Sequence, residues 1–212
     1  MEYNKIKDAD KIIAKSPYLV SNPTKYKNKW NDFFGNKNPI HVELGTGRGE
    51  FIIKMAKKFP NVNFVGIELV DSQLVMATER LKSQSIPNLK LICADASTLD
   101  TIFGREIDTI YLTFSEPWPK KIDEKKRFTH YNYLKLYDKV FKKKKHIILK
   151  TDNKGLFAYS LETLSQYWYV FDKVSLDLHN DEREISNVMT DFEKNYFEEK
   201  RAIYYIDASF TE

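Results

Sequence analysis

Residues 39–51 read PIHVELGTGRGEF, an apolar run that passes through three closely spaced glycines into a stretch of helical periodicity. Glycine allows the tight backbone turn that links a strand to a helix, and it lets a ligand approach the main chain closely. The spacing is G-x-G-x-G, at Gly45, Gly47 and Gly49, and differs from the G-x-G-x-x-G of dinucleotide-binding proteins. The stretch predicts a strand, a glycine turn and a helix, with either a purely structural turn or a ligand site at its apex.

The acid ahead of the first glycine, Glu43, bears on which ligand such a turn binds. A carboxylate at this point repels a pyrophosphate but attracts the ammonium of a ligand that carries an amino acid. A nucleoside with an amino-acid tail, such as S-adenosylmethionine, is therefore favoured over NAD.

Two further acids follow the next predicted strands. Glu68 lies 23 positions after Gly45, where an acid accepts hydrogen bonds from ribose hydroxyls, although in isolation it also fits an exposed loop acid. Asp95 follows the third strand, where it either accepts from an adenine amino group or caps the next helix. Together these patterns predict a cofactor-binding edge made of Glu43, Gly45, Gly47, Gly49, Glu68 and Asp95.

Short apolar runs alternate with longer amphipathic stretches along the chain, which is typical of stacked βα units. The pattern predicts an α/β fold with a doubly wound, mostly parallel sheet, whose ligands bind beyond the C-terminal ends of the strands. The predicted strands are 40–44, 63–68, 90–94, 109–114, 146–151, 171–178 and 202–208, and the predicted helices are 48–58, 72–83, 131–142 and 154–167, with basic helices before Phe34.

Composition excludes several classes of protein. The 212 residues are 42% hydrophobic and 14% aromatic, which is enough for a substantial core and excludes a disordered chain. We expect a single domain over 1–212, with 1–37 as a basic helical extension packed on it. No apolar run approaches the roughly 18–20 residues of a membrane span, and the N-terminus lacks the apolar stretch of a signal peptide, so a cytoplasmic protein without a membrane partner is expected.

Cysteine and histidine content narrows the chemistry further. The single cysteine, Cys93, excludes an internal disulfide framework and a multi-cysteine zinc site, and its apolar surroundings predict a core position. The four histidines are widely spaced and form no metal-ligand motif, so no metal site is expected.

Charge is distributed unevenly along the chain. The net charge is +4, but residues 1–37 and 118–130 carry net +4 and +3, whereas residues 177–212 carry net −6. A basic face opposite an acidic tail favours a polyanionic partner such as a nucleic acid. On charge alone a nucleic-acid partner is the less favoured explanation, because the whole chain is rich in Lys, Asn, Ile, Tyr and Phe, as a compositional bias of the genome would produce.

The fourth predicted strand leads into EPWPKKIDEKKR, residues 116–127. Its two prolines end the strand and stiffen the backbone, so Glu116 is expected at the strand end, over the reacting group of a bound cofactor. Trp118 fits either a stacking surface or a core position. An isolated charge run is more often solvated surface, but the cations that follow suit phosphate contacts, and they are Lys120, Lys121, Lys125, Lys126 and Arg127.

In these segments the chain resembles the bacterial tRNA (guanine-N7-)-methyltransferase family in its shorter form. The resemblance runs from about Ala14 almost to the C-terminus and is most specific at PWPK, residues 117–120, and KTDNKGLF, residues 150–157. It implies the class I S-adenosylmethionine-dependent methyltransferase fold, a seven-stranded sheet with an antiparallel last strand. It also implies methylation of guanosine 46 in the tRNA variable loop, with tRNA as partner. No DNA partner is expected, and no obligatory protein partner is evident from the sequence.

The resemblance further implies roles for individual residues. Glu43, Glu68, Asp95 and Glu116 match cofactor-contacting acids of the family, and Glu116 is the expected catalytic residue. Residues 122–127 match its RNA-contacting loop. The substrate-binding residues expected from the match and from the basic run are Lys120, Lys121, Lys125, Lys126, Arg127, Asp152, Thr190 and Glu193.

The chain departs from the family pattern at four positions beside the expected site. Glu116 stands where aspartate is usual, Thr113 where asparagine is usual, and Ile122-Asp123 where Arg-His is usual, which removes cationic charge from the RNA loop. Because of these departures, a catalytically impaired RNA-binding homologue is one alternative interpretation. A small-molecule methyltransferase of the same fold is the other alternative, and the basic run beside the fourth strand argues against it.

Overall fold

One seven-stranded sheet organises the computed structural model, which describes residues 5–182 and 187–210. The strand order is β3-β2-β1-β4-β5-β7-β6, with β1 to β5 parallel to one another and β7 antiparallel to both β5 and β6. The strands are β1 (Ile40–Leu44), β2 (Asn63–Glu68), β3 (Leu89–Cys93), β4 (Ile107–Thr113), β5 (Lys145–Thr151), β6 (Val170–Ser175) and β7 (Tyr204–Phe210).

Helices connect the strands and cover both faces of the sheet. In the described part of the chain, no helix is long and apolar enough to cross a membrane. The helices are α1 (Ala9–Ile13), α2 (Trp30–Phe34), α3 (Glu50–Lys58), α4 (Asp71–Leu81), α5 (Leu99–Ile102), α6 (Tyr131–Tyr137), α7 (Lys154–Gln166) and α8 (Asp191–Glu198), with 3-10 turns at Pro23–Tyr26, Ala96–Thr98 and Lys121–Lys126.

The core lies on both sides of the sheet because successive side chains of a strand point to opposite faces. In β2, Val65 and Ile67 belong to one buried cluster, whereas Phe64 belongs to another that includes apolar residues of α3 and α4. Strands buried on both faces read as continuous apolar runs, which explains why β1 and β2 were predictable from sequence to the residue. This doubly wound, mostly parallel sheet with an antiparallel last strand confirms the predicted fold.

Predicted boundaries fail mainly towards the C-terminus. The helix predicted over 131–142 ends at Tyr137, because the chain then turns and Phe141 forms a parallel bridge with Ile107. Strand β7 begins at Tyr204, two residues later than predicted, and helix α8 was not predicted. Its signal was present as the capping-box pattern that begins at Thr190.

The segment before β1 packs on the core through an aromatic residue and a carboxylate. The indole of Trp30 is fully buried, stacks on Phe103 with ring centroids 4.9 Å apart, and donates to the carbonyl of Ile102 at 3.0 Å. The carboxylate of Glu106 accepts from the backbone N–H groups of Asn28 and Trp30 at 2.8 and 3.0 Å. The bond to Trp30 satisfies the first backbone N–H of α2, and together the two bonds tie the start of the helix to Glu106, just before β4.

Candidate active site

The glycine turn after β1 has a backbone that other residues adopt with difficulty. Gly45, Gly47 and Gly49 have φ of +73°, +53° and +72°. A Cβ atom at Gly49 would lie 3.0 Å from Cβ of Ala77, so this glycine also allows α3 to pack against α4. A Cβ at Gly47 would meet no atom of the described residues within 4 Å. The turn is therefore closely packed on one side and open at its apex, where a ligand can approach.

Glu43 lies against this turn and is only 2% exposed. Its Oε2 accepts a hydrogen bond of 2.5 Å from the hydroxyl of Thr46, and its Oε1 accepts one from the hydroxyl of Thr113 on β4. Burial raises the pKa of Glu43 to about 7, although both hydroxyls and the charge of Lys150 act in the opposite direction. Glu43 thus joins β1 to β4 and favours a nearby cation. Its contact with a ligand ammonium remains a prediction.

Glu68 attaches the glycine turn to the end of β2. Its Oε2 accepts from the backbone N–H of Gly47 at 2.9 Å, and its Oε1 accepts from that of Val70 at 2.9 Å. The side chain is half-buried at the C-terminal edge of the sheet. This position is compatible with the predicted ribose contact. The two hydrogen bonds also give Glu68 a structural role, holding the glycine turn against β2, which the sequence did not indicate.

At the end of β3, Asp95 is exposed, and its Oδ1 accepts from the backbone N–H of Ser97 at 2.8 Å. The helix-capping alternative is therefore realised in this structure, and the adenine contact remains a prediction. The expected core position of Cys93 is wrong, because the cysteine is exposed. It is the last residue of β3, so it lies at the edge of the sheet where the strand leaves the core.

The segment after β4 contains two aromatic residues in a left-handed backbone conformation. Phe114 and Trp118 have φ of +50° and +43°, which is uncommon for bulky side chains. The backbone N–H of Phe114 donates to the carbonyl of Lys150 at 2.8 Å and ties the segment to β5. Glu116 follows Phe114 by two residues and precedes Trp118 by two, and its side chain is half-buried. Backbone outliers of this kind cluster at functional sites, which supports a site here.

Two of the predicted phosphate-binding cations hold this segment in place. Arg127 donates to the carbonyl of Trp118 from Nε at 3.2 Å and from Nη2 at 3.0 Å, and its guanidinium lies 4.3 Å from the ring centroid of Tyr159. Lys126 pairs with Asp123 at 2.8 Å and lies 4.5 Å over the Trp118 ring. Arg127 therefore fixes the backbone of Trp118, and Lys126 contacts its ring.

The remaining cations of the loop face solvent. Lys120, Lys121 and Lys125 are exposed, and Ile122 between them is 87% exposed. An aliphatic side chain this exposed contributes little to the core. The loop therefore presents three lysines around an apolar tip, on the same segment that carries Glu116.

Asp152 follows β5 and forms an ion pair with Arg201, which precedes β7. The guanidinium of Arg201 lies 4.0 Å from the ring centroid of Tyr196 on α8, and that ring lies 6.0 Å from the ring of Phe114. Helix α8 thus connects the two segments that carry Glu116 and Asp152. The structure brings the two acids to the same edge of the sheet, as predicted from neighbouring strands.

Thr190 and Glu193 form the capping box of α8 and are both buried. The Thr190 hydroxyl accepts from the backbone N–H of Glu193 at 3.0 Å. Oε2 of Glu193 lies 2.7 Å from Nζ of Lys150 on β5. Their predicted contacts with substrate remain predictions.

Sequence reasoning missed Lys150 and Thr113. Thr113 drew attention only because asparagine is usual at this position in the family. Its hydrogen bond to Glu43 joins two residues 70 positions apart, which no local pattern predicts. Lys150 did leave a signal, since it ends the apolar run of a strand expected to be buried on both faces. Lysine is almost never fully buried without a charged partner.

Comparison with known proteins bears on this arrangement. Residues 37–206 match a protein family described as "Putative methyltransferase". A tRNA (guanine-N(7)-)-methyltransferase of Geobacillus sp. (strain WCH70) is 47% identical over 92% of this chain and 89% of its own length. Those of Bacillus subtilis (strain 168) and Streptococcus suis are 46% and 44% identical, over 92% and 96% of this chain and 92% and 97% of their own lengths.

The chain belongs to the tRNA (guanine-N(7)-)-methyltransferase family. Family membership confirms the resemblance predicted from the motifs and makes the protein a methyltransferase.

Solved structures similar to this member of the family support the fold. The 16S rRNA methyltransferase KamB has a TM-score of 0.64 at 9% identity, over 87% of this chain and 94% of its own. A 16S rRNA (adenine(1408)-N(1))-methyltransferase solved with its cosubstrate SAM has a TM-score of 0.61 at 13% identity, over 87% and 91%. At these identities the likeness concerns the fold alone.

Proposed function

We propose that this protein transfers the methyl group of S-adenosylmethionine to N7 of guanosine 46 in the variable loop of tRNA. One observation carries the proposal. At a single sheet edge, a glycine turn bonded to Glu68 lies beside a basic, proline-rich segment that carries Glu116. Family membership supports the choice of tRNA and of guanine N7, since the relatives are named for that reaction.

The residues of the edge fit S-adenosylmethionine. The open apex at Gly47 leaves room for a ligand against the main chain, and the buried carboxylate of Glu43 favours a cation such as the methionine ammonium. Glu68 and Asp95 are available at the ends of β2 and β3 for the ribose and the adenine. The proposed cofactor-binding residues are Glu43, Gly45, Gly47, Gly49, Glu68, Asp95 and Glu116.

Guanine N7 has a lone pair and no proton, so no residue of the protein needs to act as a base. The bound cofactor supplies an electrophilic methyl group on a sulfonium. The N7–methyl bond forms while the sulfur–methyl bond breaks, its electron pair stays on sulfur, and the positive charge moves to the guanine. Residues that hold the base in line and place negative charge near it therefore provide the catalysis.

Glu116 and Asp152 suit those tasks. A carboxylate can accept hydrogen bonds from N1–H and the N2 amino group of guanine, which pins the base and raises its electron density. Asp152 is oriented by Arg201, and Glu116 by the unusual backbone on either side of it. Glu116 is the proposed catalytic residue, and Asp152 the proposed contact to the base.

The basic segment is the proposed contact to the RNA backbone. The exposed Lys120, Lys121 and Lys125 suit phosphate groups, whereas Lys126 and Arg127 shape the loop that carries them. A base within folded tRNA must be unstacked before it can react, and the half-buried ring of Trp118 offers a stacking surface. We further propose a cytoplasmic protein of a single domain over 1–212 that acts on tRNA without DNA, membrane or an obligatory protein partner.

A transfer assay tests the proposal. Purified protein and methyl-labelled S-adenosylmethionine are incubated with an unmodified tRNA transcript, and the labelled nucleoside is identified and mapped. The matched control is the same transcript with adenosine at position 46. We expect 7-methylguanosine at position 46 and no product on the control. Labelling of a small molecule alone, or tRNA binding without transfer, would overturn the proposal.

A further inference from the structure

One aromatic side chain links the two halves of the proposed site, and the reaction as described does not use it. Phe128 directly follows Arg127, the last cation of the basic loop (residues 120–127), and is partly buried. A Cβ atom built on Gly45 would lie 3.4 Å from Cε2 of Phe128, so the ring lies directly against this glycine. Gly45 is the first glycine of the turn that is proposed to hold the cofactor. The basic loop therefore reaches the cofactor turn through the side chain of Phe128.

The main chain at Phe128 is anchored to the core. Its carbonyl accepts a hydrogen bond of 2.9 Å from the hydroxyl of Tyr137, a fully buried residue of α6. The next residue, Thr129, is 1% exposed, and its hydroxyl lies 2.8 Å from that of Ser160 on α7. Because the backbone on this side is fixed, the Phe128 ring has a defined position against the glycine turn.

A second ring, that of Tyr133 on α6, packs on Phe128. The two rings meet edge to face with their centroids 5.2 Å apart, an arrangement that aromatic pairs favour. Burial raises the pKa of Tyr133, and the charge of Asp95 raises it further, so the Tyr133 hydroxyl lies near this carboxylate at the end of β3. The aromatic pair, Phe128 and Tyr133, thus extends from Gly45 to Asp95, two residues that are proposed to bind the cofactor.

On its other side, Phe128 is continuous with the basic loop. Arg127 donates twice to the carbonyl of Trp118, and Trp118 lies two residues after Glu116. Between Trp118 and Arg127, the 3-10 turn over Lys121–Lys126 carries exposed lysines. Phosphate groups that bind these lysines therefore act on a loop that continues directly into Phe128.

An element that contacts two ligand sites makes their binding cooperative when both ligands favour the same arrangement of that element. A bound cofactor would hold the glycine turn, and with it the Phe128 ring, in the position in which the basic loop receives tRNA. Bound tRNA would in turn hold the loop and keep the ring against the turn. Such coupling is reciprocal, so each ligand must raise the affinity for the other by the same factor.

We propose that Phe128, supported by Tyr133, is a positioning residue that couples the two ligands, so that S-adenosylmethionine and tRNA each strengthen the binding of the other. The proposal rests on the proposed function for the identity of the two ligands. Failure of the proposed function shows separately, as the absence of methyl transfer, because coupling is measured from binding alone.

Binding measurements on four variants test the coupling. Phe128→Ala removes the contact with Gly45, Phe128→Leu keeps an apolar contact, and Tyr133→Leu removes the supporting ring. The matched control is Phe171→Ala, which removes a partly buried ring from β6 at the edge of the sheet. Affinity for unmodified tRNA is measured with and without saturating S-adenosylhomocysteine, the cofactor without its methyl group, which binds without reacting. Affinity for S-adenosylhomocysteine is measured with and without tRNA.

The coupling factor is the ratio of the affinity with the other ligand to the affinity without it. All measurements are made well below the unfolding temperature of each variant. Inactive protein in a sample changes both affinities of a pair alike and leaves their ratio unchanged, so a merely structural role of Phe128 would not alter the factor.

We expect a coupling factor of about ten in the native protein and below about two in Phe128→Ala. In Tyr133→Leu the factor should fall below about five, whereas in Phe128→Leu and Phe171→Ala it should stay within about twofold of the native value. A factor below about two in the native protein would overturn the proposal. The native factor retained in Phe128→Ala or in Tyr133→Leu, or a loss in Phe171→Ala equal to that in Phe128→Ala, would also overturn it.

Discussion

The two halves of the proposed site are built differently. Around the glycine turn, Glu43 and Glu68 are fixed by hydrogen bonds from hydroxyl and backbone groups, two of them from residues within three positions in sequence and two from residues 21 and 70 positions away. In the half formed by the ends of β4 and β5, support comes from pairs distant in sequence, such as Arg201 with Asp152 and Lys150 with Glu193. Two aromatic residues there also have left-handed backbones. The first half is fixed by contacts at the glycine turn itself, whereas the second is supported by contacts with α8 and with Arg201 after it.

The largest expected effect is on turnover, in the β4–β5 half. Glu116→Ala and Asp152→Ala should each lower the rate of methyl transfer by about 10²–10³-fold, the range for one preorganised electrostatic group. Asp152→Ala should change cofactor affinity little. Glu79→Ala, which removes an exposed acid paired with Lys82 on α4, is the matched control and should stay within about twofold. Full activity in both site variants would refute their catalytic placement.

The next effect is on cofactor binding, in the glycine-turn half. Glu68→Ala and Asp95→Ala should each weaken S-adenosylmethionine binding by about 1–3 kcal/mol, the cost of leaving a polar group of the bound cofactor without its hydrogen-bond partner. Calorimetry measures the affinity, and Glu79→Ala again serves as the control. Undiminished affinity in both variants, or NAD binding of comparable strength, would contradict the assignment.

A smaller effect is expected from pH, through Glu43. Burial raises the pKa of its carboxyl from 4.5 to about 7, so the folded protein retains a proton that the unfolded chain releases between these values. The free energy of unfolding should therefore fall as pH rises from 4.5 to 7, by about 3 kcal/mol, and level off above 7. A cationic ligand favours the ionised carboxyl, so cofactor affinity should rise with pH up to about 7, at most about tenfold per pH unit.

The control for the pH effect is Glu43→Gln, which keeps the shape of the side chain and cannot titrate. Denaturant unfolding and calorimetry at several pH values from 5 to 8 compare it with the native protein. Its stability and cofactor affinity should show a flatter pH dependence than the native protein. Identical profiles in the two proteins would show that Glu43 does not titrate in this range.

The smallest effect distinguishes the lysines of the basic loop that are proposed to contact phosphate from the cations that hold the loop in shape. Lys125→Ala should flatten the salt dependence of tRNA binding by about 0.7–0.9 in slope, the value for one lost phosphate contact. Arg127→Lys keeps the charge but loses the two-pronged bond to the Trp118 carbonyl, so it should lower turnover severalfold and leave the slope unchanged. If Arg127→Ala flattens the slope as Lys125→Ala does and Arg127→Lys is fully active, then Arg127 contacts phosphate instead.

The same contrast explains what the sequence could predict. Strands β1 and β2 and the glycine turn follow from local signals, namely apolar runs and closely spaced glycines, and their predicted residues lie together as expected. The acids after β4 and β5 were also identified. Their supports were not, because Lys150 and Glu193 are 43 positions apart and Asp152 and Arg201 are 49 apart. No local pattern encodes such pairs. Helix α8, in contrast, does have a local signal, the capping-box pattern that begins at Thr190.

The most direct test of the two-part site is a crossed binding measurement. Affinities for S-adenosylmethionine and for tRNA are determined separately in Glu68→Ala and in the triple variant Lys120→Ala, Lys121→Ala, Lys125→Ala. We expect the first variant to lose about fivefold or more in cofactor affinity, from the loss of at least about 1 kcal/mol, and less than about threefold in tRNA affinity. The triple variant should show the reverse. Loss of both affinities in both variants, or unchanged tRNA affinity in the triple variant at low salt, would contradict the account.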